Sequence, residues 1–308
     1  MFQGSHATLL PLLMALCCLG LWSEGANPGF MGRITGKGLD YARQEGVAVL
    51  QQKLAGLTLP DFSGSFRVQH LGNVDYRFHS LRIGTFQLPS SSIVPLPGMG
   101  LKVSITNAFA TLSGEWQVKK RRWFKDHGSF DLKVEGISIL VGLKLGTDGT
   151  GRLTAATSDC GAHISDVSIH ISGRLRWLYN LFRGKIESGL RRTLEGKICG
   201  EVTDAISSRL EPFLQTLPVT ANIDKIAGID YSLVNPPVAT NDSVDLALKG
   251  EFFSMTHRSA APFPPPALNF PVDHDRMLYF GVSTYFFNTA GNVYFSAGAM
   301  TFYVTDNM

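Results

Sequence analysis

The chain has 308 residues, of which 44% are hydrophobic and 17% are charged. This length allows one large or two ordinary domains with a sizeable core, and the composition excludes an intrinsically disordered protein. The formal net charge is only +3, and this modest value argues against nucleic-acid binding as the main role.

The first 25 residues have the pattern of a secretory signal peptide. The apolar run from Thr8 to Trp22 is too short and too near the start for a membrane-spanning helix. Ser23 and Gly25 place small residues at −3 and −1 of a cut before Ala26. The segment before the run has no Lys or Arg, so a retained anchor is the alternative. Removing the leader takes away Glu24, which leaves 28 basic and 24 acidic residues and a charge of +4.

Two of the four cysteines, Cys17 and Cys18, lie in that leader. Cys160 and Cys199 would then share an oxidising compartment, so we expect a disulfide between them, with two buried free thiols as the alternative. A bond closing a loop of this size stabilises by about 3–4 kcal/mol in the chain-entropy model. Asn241 opens the only N-glycosylation sequon and is predicted to carry a glycan.

The first half of the chain predicts a helix followed by a sheet. Thr35 can cap a helix that runs to about Ala55, and Leu59-Pro60-Asp61 ends it. From Phe62 to Ile171 apolar residues recur with period two, which predicts an antiparallel meander with one apolar face. Turn-forming clusters are expected to separate its strands at Gly72-Asn73, Thr147-Asp148-Gly149 and Asp159 to Gly161.

A long amphipathic helix is predicted from Arg174 to about Gln215, where apolar residues recur every four positions. Such a stripe winds around a 3.6-residue helix, which suits a helix lying on a curved sheet. Either an apolar slot or a solid core can lie beneath it. The residues expected to line the slot are Leu178, Phe182, Ile186 and Leu190. The glycines that predict close backbone contact or a bend are Gly184, Gly189, Gly196 and Gly200.

The predicted fold class is α+β, with both long helices on the apolar face of a highly twisted antiparallel β-barrel. Shorter elements follow the second helix. A proline-rich stretch from Ala260 to Pro271 is expected to be an extended linker. The remaining predicted elements are strands at Ile226 to Val234, Val244 to Phe253, Met277 to Ser283 and Met300 to Val304, and a helix at Tyr285 to Ala297.

The sequence has no motif for an enzyme or a metal site. It lacks Gly-x-Ser-x-Gly, His-Glu-x-x-His, Cys-x-x-Cys and a phosphate loop. Its histidines, among them His163, His170, His257 and His274, are scattered and suit surface or core positions better than metal ligation. We therefore expect no catalysis and no metal.

The strongest local signal is a basic run at a predicted hairpin tip. Five cations fall within seven residues: Lys119, Lys120, Arg121, Arg122 and Lys125. Trp116, Trp123 and Phe124 accompany them and are candidates for membrane anchors. Cations with interfacial aromatics suit an anionic lipid surface, each cation contributing about 1 kcal/mol. A nucleic acid and a plain solvated turn are the alternatives, and a signal peptide weighs against the first.

Several segments together resemble the bactericidal permeability-increasing protein / lipopolysaccharide-binding protein family, from Ala26 to Met308. Phe86 to Ser91 and Phe286 to Gly291 look more like the bactericidal member, to which we expect the chain to be closest. Ala26 to Gly29 and Leu59 to Phe62 look more like the transport member. The other matching segments are Arg33-Ile34-Thr35, Lys37 to Ala42, Lys185 to Ser188 and Gln215 to Pro218.

The resemblance implies two twisted barrels, each with a long helix and an apolar phospholipid pocket, joined by a central sheet. The domain boundaries expected on this basis are a signal peptide at 1–25, an N-terminal barrel at 26–255, a linker at 256–275 and the beginning of a second barrel and central sheet at 276–308. The family disulfide falls on Cys160 and Cys199. The resemblance also implies that the basic tip binds lipid A.

The function implied is a secreted innate-immunity protein that binds lipopolysaccharide, kills Gram-negative bacteria and neutralises endotoxin. Storage in secretory granules is a further expectation. Its expected partners are lipopolysaccharide, phospholipid and the Gram-negative outer membrane, without nucleic acid, and a monomer is expected. No cofactor is expected apart from bound phospholipid. The alternatives are a carrier that presents endotoxin to receptors and a general phospholipid-transfer protein, and a secreted hydrolase has no motif in its favour.

Overall fold

The computed structural model describes residues 27–68, 72–120, 124–173, 176–270 and 274–301, so the predicted leader lies outside the described residues. The α+β class expected from the sequence is confirmed, with long helices packed on a curled antiparallel sheet. No helix in these ranges combines the length and the hydropathy needed to cross a bilayer.

The main sheet has six strands, numbered in chain order after an N-terminal strand β1 at Phe30–Thr35. Five of them pair antiparallel in the order β2-β3-β5-β6-β7, and β4 pairs with β5. Their alternating apolar residues point to one face, as the period-two pattern predicts. The bounds are β2 Phe62–Val68, β3 Gly72–Gln87, β4 Ser90–Leu96, β5 Gly100–Lys120, β6 Phe124–Thr147 and β7 Leu153–Ile171.

The strands are fewer and longer than the sequence pattern predicts. The cluster Asp159 to Gly161, expected to be a turn, lies inside β7. Gly142 pairs with Asp159 but Leu143 pairs with Thr157, so Ser158 is an extra residue in a β-bulge. Residues that favour turns are tolerated at a bulge because it interrupts regular pairing only locally.

Two long helices cover the apolar face. Helix α1 is Gly36–Ala55, and α2 is Arg176–Ala205, followed by a π-helical turn at Ile206–Leu210 and a short α3 at Glu211–Thr216. The predicted helix from 174 to 215 is therefore present but changes its winding near its end. Arg174 lies outside the described residues.

The structure contradicts a Thr35 cap on α1 and close backbone contact at the α2 glycines, whereas a bend at these glycines stays a prediction. Thr35 precedes α1 in extended conformation, but its hydroxyl donates to the carbonyls of Arg276, at 2.6 Å, and Met277 instead of capping the helix. The α2 glycines face open space, because a Cβ added at any of them would meet nothing within 4 Å. This applies to Gly184, Gly189, Gly196 and Gly200.

Helix α2 is fastened along β7, the edge strand of the sheet. The expected disulfide joins Cys160 of β7 to Cys199 of α2. The carboxylate of Glu195 accepts from the Ile164 amide at 2.8 Å, and that of Glu211 accepts from the Ala155 amide at 2.6 Å. Arg191 donates to the carbonyl of Ser165 at 3.1 Å.

The twisted barrel expected from the sequence is consequently an open half-barrel, whose sheet is covered by the long helices. Within the described residues β7 and β2 are the two ends of the strand order, and α2 contacts both. The carboxylates of Glu195 in α2 and Glu211 in α3 accept hydrogen bonds from edge amides of β7, which could otherwise pair with another strand. The core lies between the sheet and α2, where Phe130, Ile137, Ile164 and Leu190 are almost fully buried.

The last third of the chain returns to the N-terminal strand. A four-stranded sheet has the order β10-β11-β1-β13, and a three-stranded sheet has the order β12-β9-β8. The bounds are β8 Thr220–Asn222, β9 Ala227–Asp230, β10 Val238–Ala239, β11 Ser243–Leu248, β12 Glu251–Ser254, β13 Leu278–Val282 and helix α4 Thr284–Ser296. Met300 lies in a turn instead of the predicted final strand, of which 302–304 lie outside the described residues. The predicted domain boundaries stay predictions.

Replacing both Cys160 and Cys199 by serine is expected to lower the free energy of unfolding by about 4 kcal/mol, because the disulfide closes a loop between residues 39 apart. Urea unfolding under non-reducing conditions measures the loss. A reductant should destabilise the parent protein similarly and leave the double variant unchanged. Equal stability of parent and variant would contradict a stabilising clamp.

Candidate functional site

The basic run lies on the β5–β6 hairpin, which projects beyond β7 on one side, whereas β3 accompanies it on the other side as far as the pairing of Asp75 with Lys119. Lys119 pairs with Lys125 and Lys120 pairs with Phe124, so β5 and β6 continue to the tip. Strand β7 stops earlier, because its last pair joins Ile171 to Phe130. The six residues of β6 before Phe130 therefore extend about 20 Å past the β7 end. Arg121, Arg122 and Trp123 lie outside the described residues, as does the side chain of Phe124.

Lys119 and Lys125 of this tip are exposed and face the same way. Directly paired residues of an antiparallel sheet point to one side, and like charges in such positions repel. Lys119 and Lys125 form such a pair, and Asp75 of β3 lies across from Lys119 on its other side. One carboxylate therefore accompanies two ammonium groups, and this surface favours a further anion.

Trp116 is not a membrane anchor, which corrects the prediction made for it. The residue is 3% exposed and belongs to the core. Its indole Nε1 donates to the Ser172 carbonyl at 3.0 Å. Gly128 and Gly173 make room for the ring, since a Cβ at either would lie 2.9 Å from an indole atom. Trp116 therefore fixes the base of the projecting hairpin.

The described residues give no indication of a metal site, because no group of three or more possible ligands is present among them. His163 lies 3.6 Å from Glu195, and His274 lies 3.1 Å from Asp242, each as a two-residue pair. Asn241 is exposed between β10 and β11, where a glycan has access. Its glycosylation stays a prediction.

An apolar cleft lies between the sheet and α2, farther along the helix than the sequence pattern predicts. Ile186 and Leu190 are buried core residues that do not line it, and the side chains of Leu178 and Phe182 lie outside the described part. The space it encloses is about 10 Å³, roughly the volume of one water probe. Its lining is Leu57, Leu59, Ile83, Phe86, Ala110, Leu112, Val134, Ile137, Ile164, Leu194, Lys197 and Ile198.

A larger open space of about 560 Å³ adjoins this cleft between the end of α1 and α2. Leu57, Leu59 and Lys197 line both spaces, so these two leucines separate the open mouth from the apolar interior. The residues that line only the mouth are Gln52, Lys53, Gly56, Thr58, Pro60 and Glu201. Sequence reasoning missed this segment, although the alternating Leu57-Thr58-Leu59 before a proline was a usable signal.

The geometry defines a class of α+β proteins in which a long helix completes a curled antiparallel sheet over an apolar cleft. Comparison with sequence models of known protein families shows which family this chain matches. The model described as "LBP / BPI / CETP family, N-terminal domain" matches residues 38–213, and that described as "LBP / BPI / CETP family, C-terminal domain" matches 221–308. The chain belongs to this family, as its sequence motifs predict.

Three similar proteins show how far the likeness extends. Lipopolysaccharide-binding protein of Bos taurus is 50% identical over 99% of this chain and 63% of its own length. Bactericidal permeability-increasing protein of Rattus norvegicus is 42% identical over 88% of this chain and 56% of its own length. A crystal structure of lipopolysaccharide binding protein matches with a TM-score of 0.77 at 47% identity, over 85% of this chain and 58% of that chain.

The chain therefore spans less than two thirds of the length of these relatives. The expectation that it is closest to the bactericidal member is not supported, because the identity to lipopolysaccharide-binding protein is higher. Secretion, predicted from the leader, agrees with the Cys160–Cys199 disulfide, since such bonds persist in oxidising compartments.

Replacing Trp116 by phenylalanine is expected to lower the free energy of unfolding by about 1–3 kcal/mol, because the Ser172 carbonyl loses its donor. Binding to anionic vesicles should not change, since the ring is buried. Urea unfolding and vesicle co-sedimentation measure the two effects. Trp123→Phe is the matched control and should weaken vesicle binding without loss of stability. Reduced vesicle binding by W116F at unchanged stability would contradict this role.

Proposed function

We propose that this chain is a secreted host-defence protein that binds lipopolysaccharide at the basic tip and holds phospholipid acyl chains in the apolar cleft. The observation that carries the first part is the exposed Lys119–Lys125 pair on a projecting hairpin. Arg121, Arg122 and Lys120 belong to the same tip by sequence. Lipid A phosphates are the anions that this cluster would bind, in agreement with the names of the two relatives.

The two parts of the proposed site are separate along the sheet. Lys119 at the tip is seven positions along β5 from Leu112, which lines the cleft, and this corresponds to a rise of about 24 Å. This distance exceeds the screening length of about 8 Å at physiological ionic strength. The tip and the cleft therefore act as independent sites, one for phosphates and one for hydrocarbon.

Endotoxin neutralisation and killing of Gram-negative bacteria would follow from coverage of lipid A, and storage in granules is part of the same proposal. No catalytic step is included. A second candidate is a carrier that transfers lipopolysaccharide or phospholipid and presents it to receptors. The higher identity to lipopolysaccharide-binding protein favours this role, and the apolar cleft supports a carrier because it provides a place for acyl chains.

Replacing Lys119 and Lys125 together by glutamate is expected to weaken lipopolysaccharide binding at least about 30-fold, since removing two cations costs about 2 kcal/mol at an anionic surface. Titration of labelled lipopolysaccharide measures the change. Lys102→Glu with Lys144→Glu is the matched control, because it changes the net charge equally at the opposite ends of β5 and β6. An equal loss of lipopolysaccharide affinity in both variants would mean that only the net charge matters, and it would contradict a binding site at the tip.

The salt dependence of ligand binding distinguishes the two candidate functions. Raising ionic strength from about 0.1 M to about 1 M shortens the screening length from about 10 Å to about 3 Å. Lipopolysaccharide binding at the tip should weaken strongly over this range, whereas uptake of phosphatidylcholine into the cleft should not. Equilibrium binding of both ligands at several salt concentrations tests this. Salt-independent lipopolysaccharide binding would favour a general lipid carrier in which the tip is incidental.

A further inference from the structure

The cleft is closed in this structure, so a wall must move before it can hold an acyl chain. It encloses about 10 Å³, whereas ligand pockets usually measure about 300–1,000 Å³. Three walls surround it: the hydrogen-bonded sheet, helix α2, and the segment Gly56–Pro60 between α1 and β2. Which of these walls yields decides how lipid enters.

Of the two walls outside the sheet, helix α2 is the less free to move. Its lining residues Leu194 and Ile198 stand next to Glu195 and Cys199, which tie α2 to β7 by a hydrogen bond and by a covalent bond. Further ties lie on either side, at Arg191 and at Glu211. Moving this stretch away from the sheet would break several of these links at once.

The segment Gly56–Pro60 is held mainly by the burial of two side chains. Leu57 and Leu59 are 8% and 6% exposed, and the residues between and after them, Thr58 and Pro60, are exposed. Backbone hydrogen bonds of α1 end at the Leu57 amide, and regular pairing resumes only at Phe62. Segments with few backbone bonds open at low free-energy cost.

We propose that Gly56–Pro60 is the gate of the cleft, with Leu57 and Leu59 as its plug; this inference rests on the proposed lipid binding. In the closed state both leucines fill the entrance between the sheet and α2. An arriving acyl chain displaces them toward the adjoining 560 Å³ space and takes over their apolar contacts with Ile83, Leu194 and Ile198. Helix α2 stays in place.

The direct test is the rate of lipid uptake after the plug is shortened. Leu57→Ala and Leu59→Ala, singly and together, remove most of the apolar burial that holds the gate closed. Transfer of pyrene-labelled phosphatidylcholine from phosphatidylcholine vesicles, followed by stopped-flow fluorescence, should become about tenfold faster or more. Leu101→Ala is the matched control, since Leu101 is also 8% exposed but lies in a separate small cluster. It should lower stability without changing the uptake rate.

Two further measurements separate the gate from a moving helix. Cys160→Ser with Cys199→Ser should leave the uptake rate unchanged, whereas a helix gate would become much faster. In the parent protein, hydrogen exchange of peptides covering residues 54–62 should change when the phosphatidylcholine vesicles are added, and that of peptides covering 190–200 should not. This second measurement needs no substitution and therefore remains decisive if a variant fails to fold.

The outcomes are distinct. Faster uptake only in the plug variants, with exchange changes confined to 54–62, supports the gate. Uptake by the parent protein at a rate that Leu57→Ala and Leu59→Ala do not alter, or exchange changes confined to α2, overturns the gate and leaves the proposed function intact. Absence of uptake by every form overturns lipid binding in the cleft and the gate with it.

Discussion

The attachment of a long helix to the edge strand of a curled sheet is the constraint on which the rest of this structure depends. An edge strand carries unpaired amide groups that invite another strand. Here Glu195 of α2 and Glu211 of α3 accept from two of those amides, and the disulfide fixes α2 at Cys199, between these two positions. The sheet consequently ends at the helix instead of closing on itself. An apolar interior then remains between a hydrogen-bonded sheet and a helix that cannot easily leave it, which is the arrangement that a lipid cleft needs.

The composition of the cleft follows from the same attachment. Among the side chains that the structure describes, helix α2 supplies Leu194, Lys197 and Ile198 to the lining, and the apolar face of the sheet supplies most of the rest. Burial of polar groups without partners is costly, and Lys197, the one charged residue among the described lining residues, also borders the open mouth. The interior is therefore suited to hydrocarbon, and the polar side chains of the mouth can meet a headgroup.

Local periodicity predicted most of this fold, because burial of one face imposes a period of two on strands and of about four on helices. The run from Ile137 to Leu145 and the stripe through α2 are examples. Long-range pairing could not be predicted: β1 joins β11 and β13, more than 200 residues away. Trp116 was misassigned because its proximity to the basic run outweighed the strand alternation, which places positions 116 and 119 on opposite faces. The gate was missed because its two leucines lie in a short connection with no long periodic pattern.

The separation of tip and cleft would allow one sheet to bind the proposed charged and apolar ligands at different places. Cations enclosed in an apolar cavity, away from an open mouth such as the one that Lys197 borders, would be desolvated at a high free-energy cost. The continuation of β5 and β6 past the end of β7 places Lys119 and Lys125 in water, where their mutual repulsion is screened. An anionic surface that approaches the tip then adds an attraction that no residue of the core opposes. The buried indole of Trp116, bonded to Ser172, holds the base of this hairpin against the sheet, so the tip presents its charges from a rigid support.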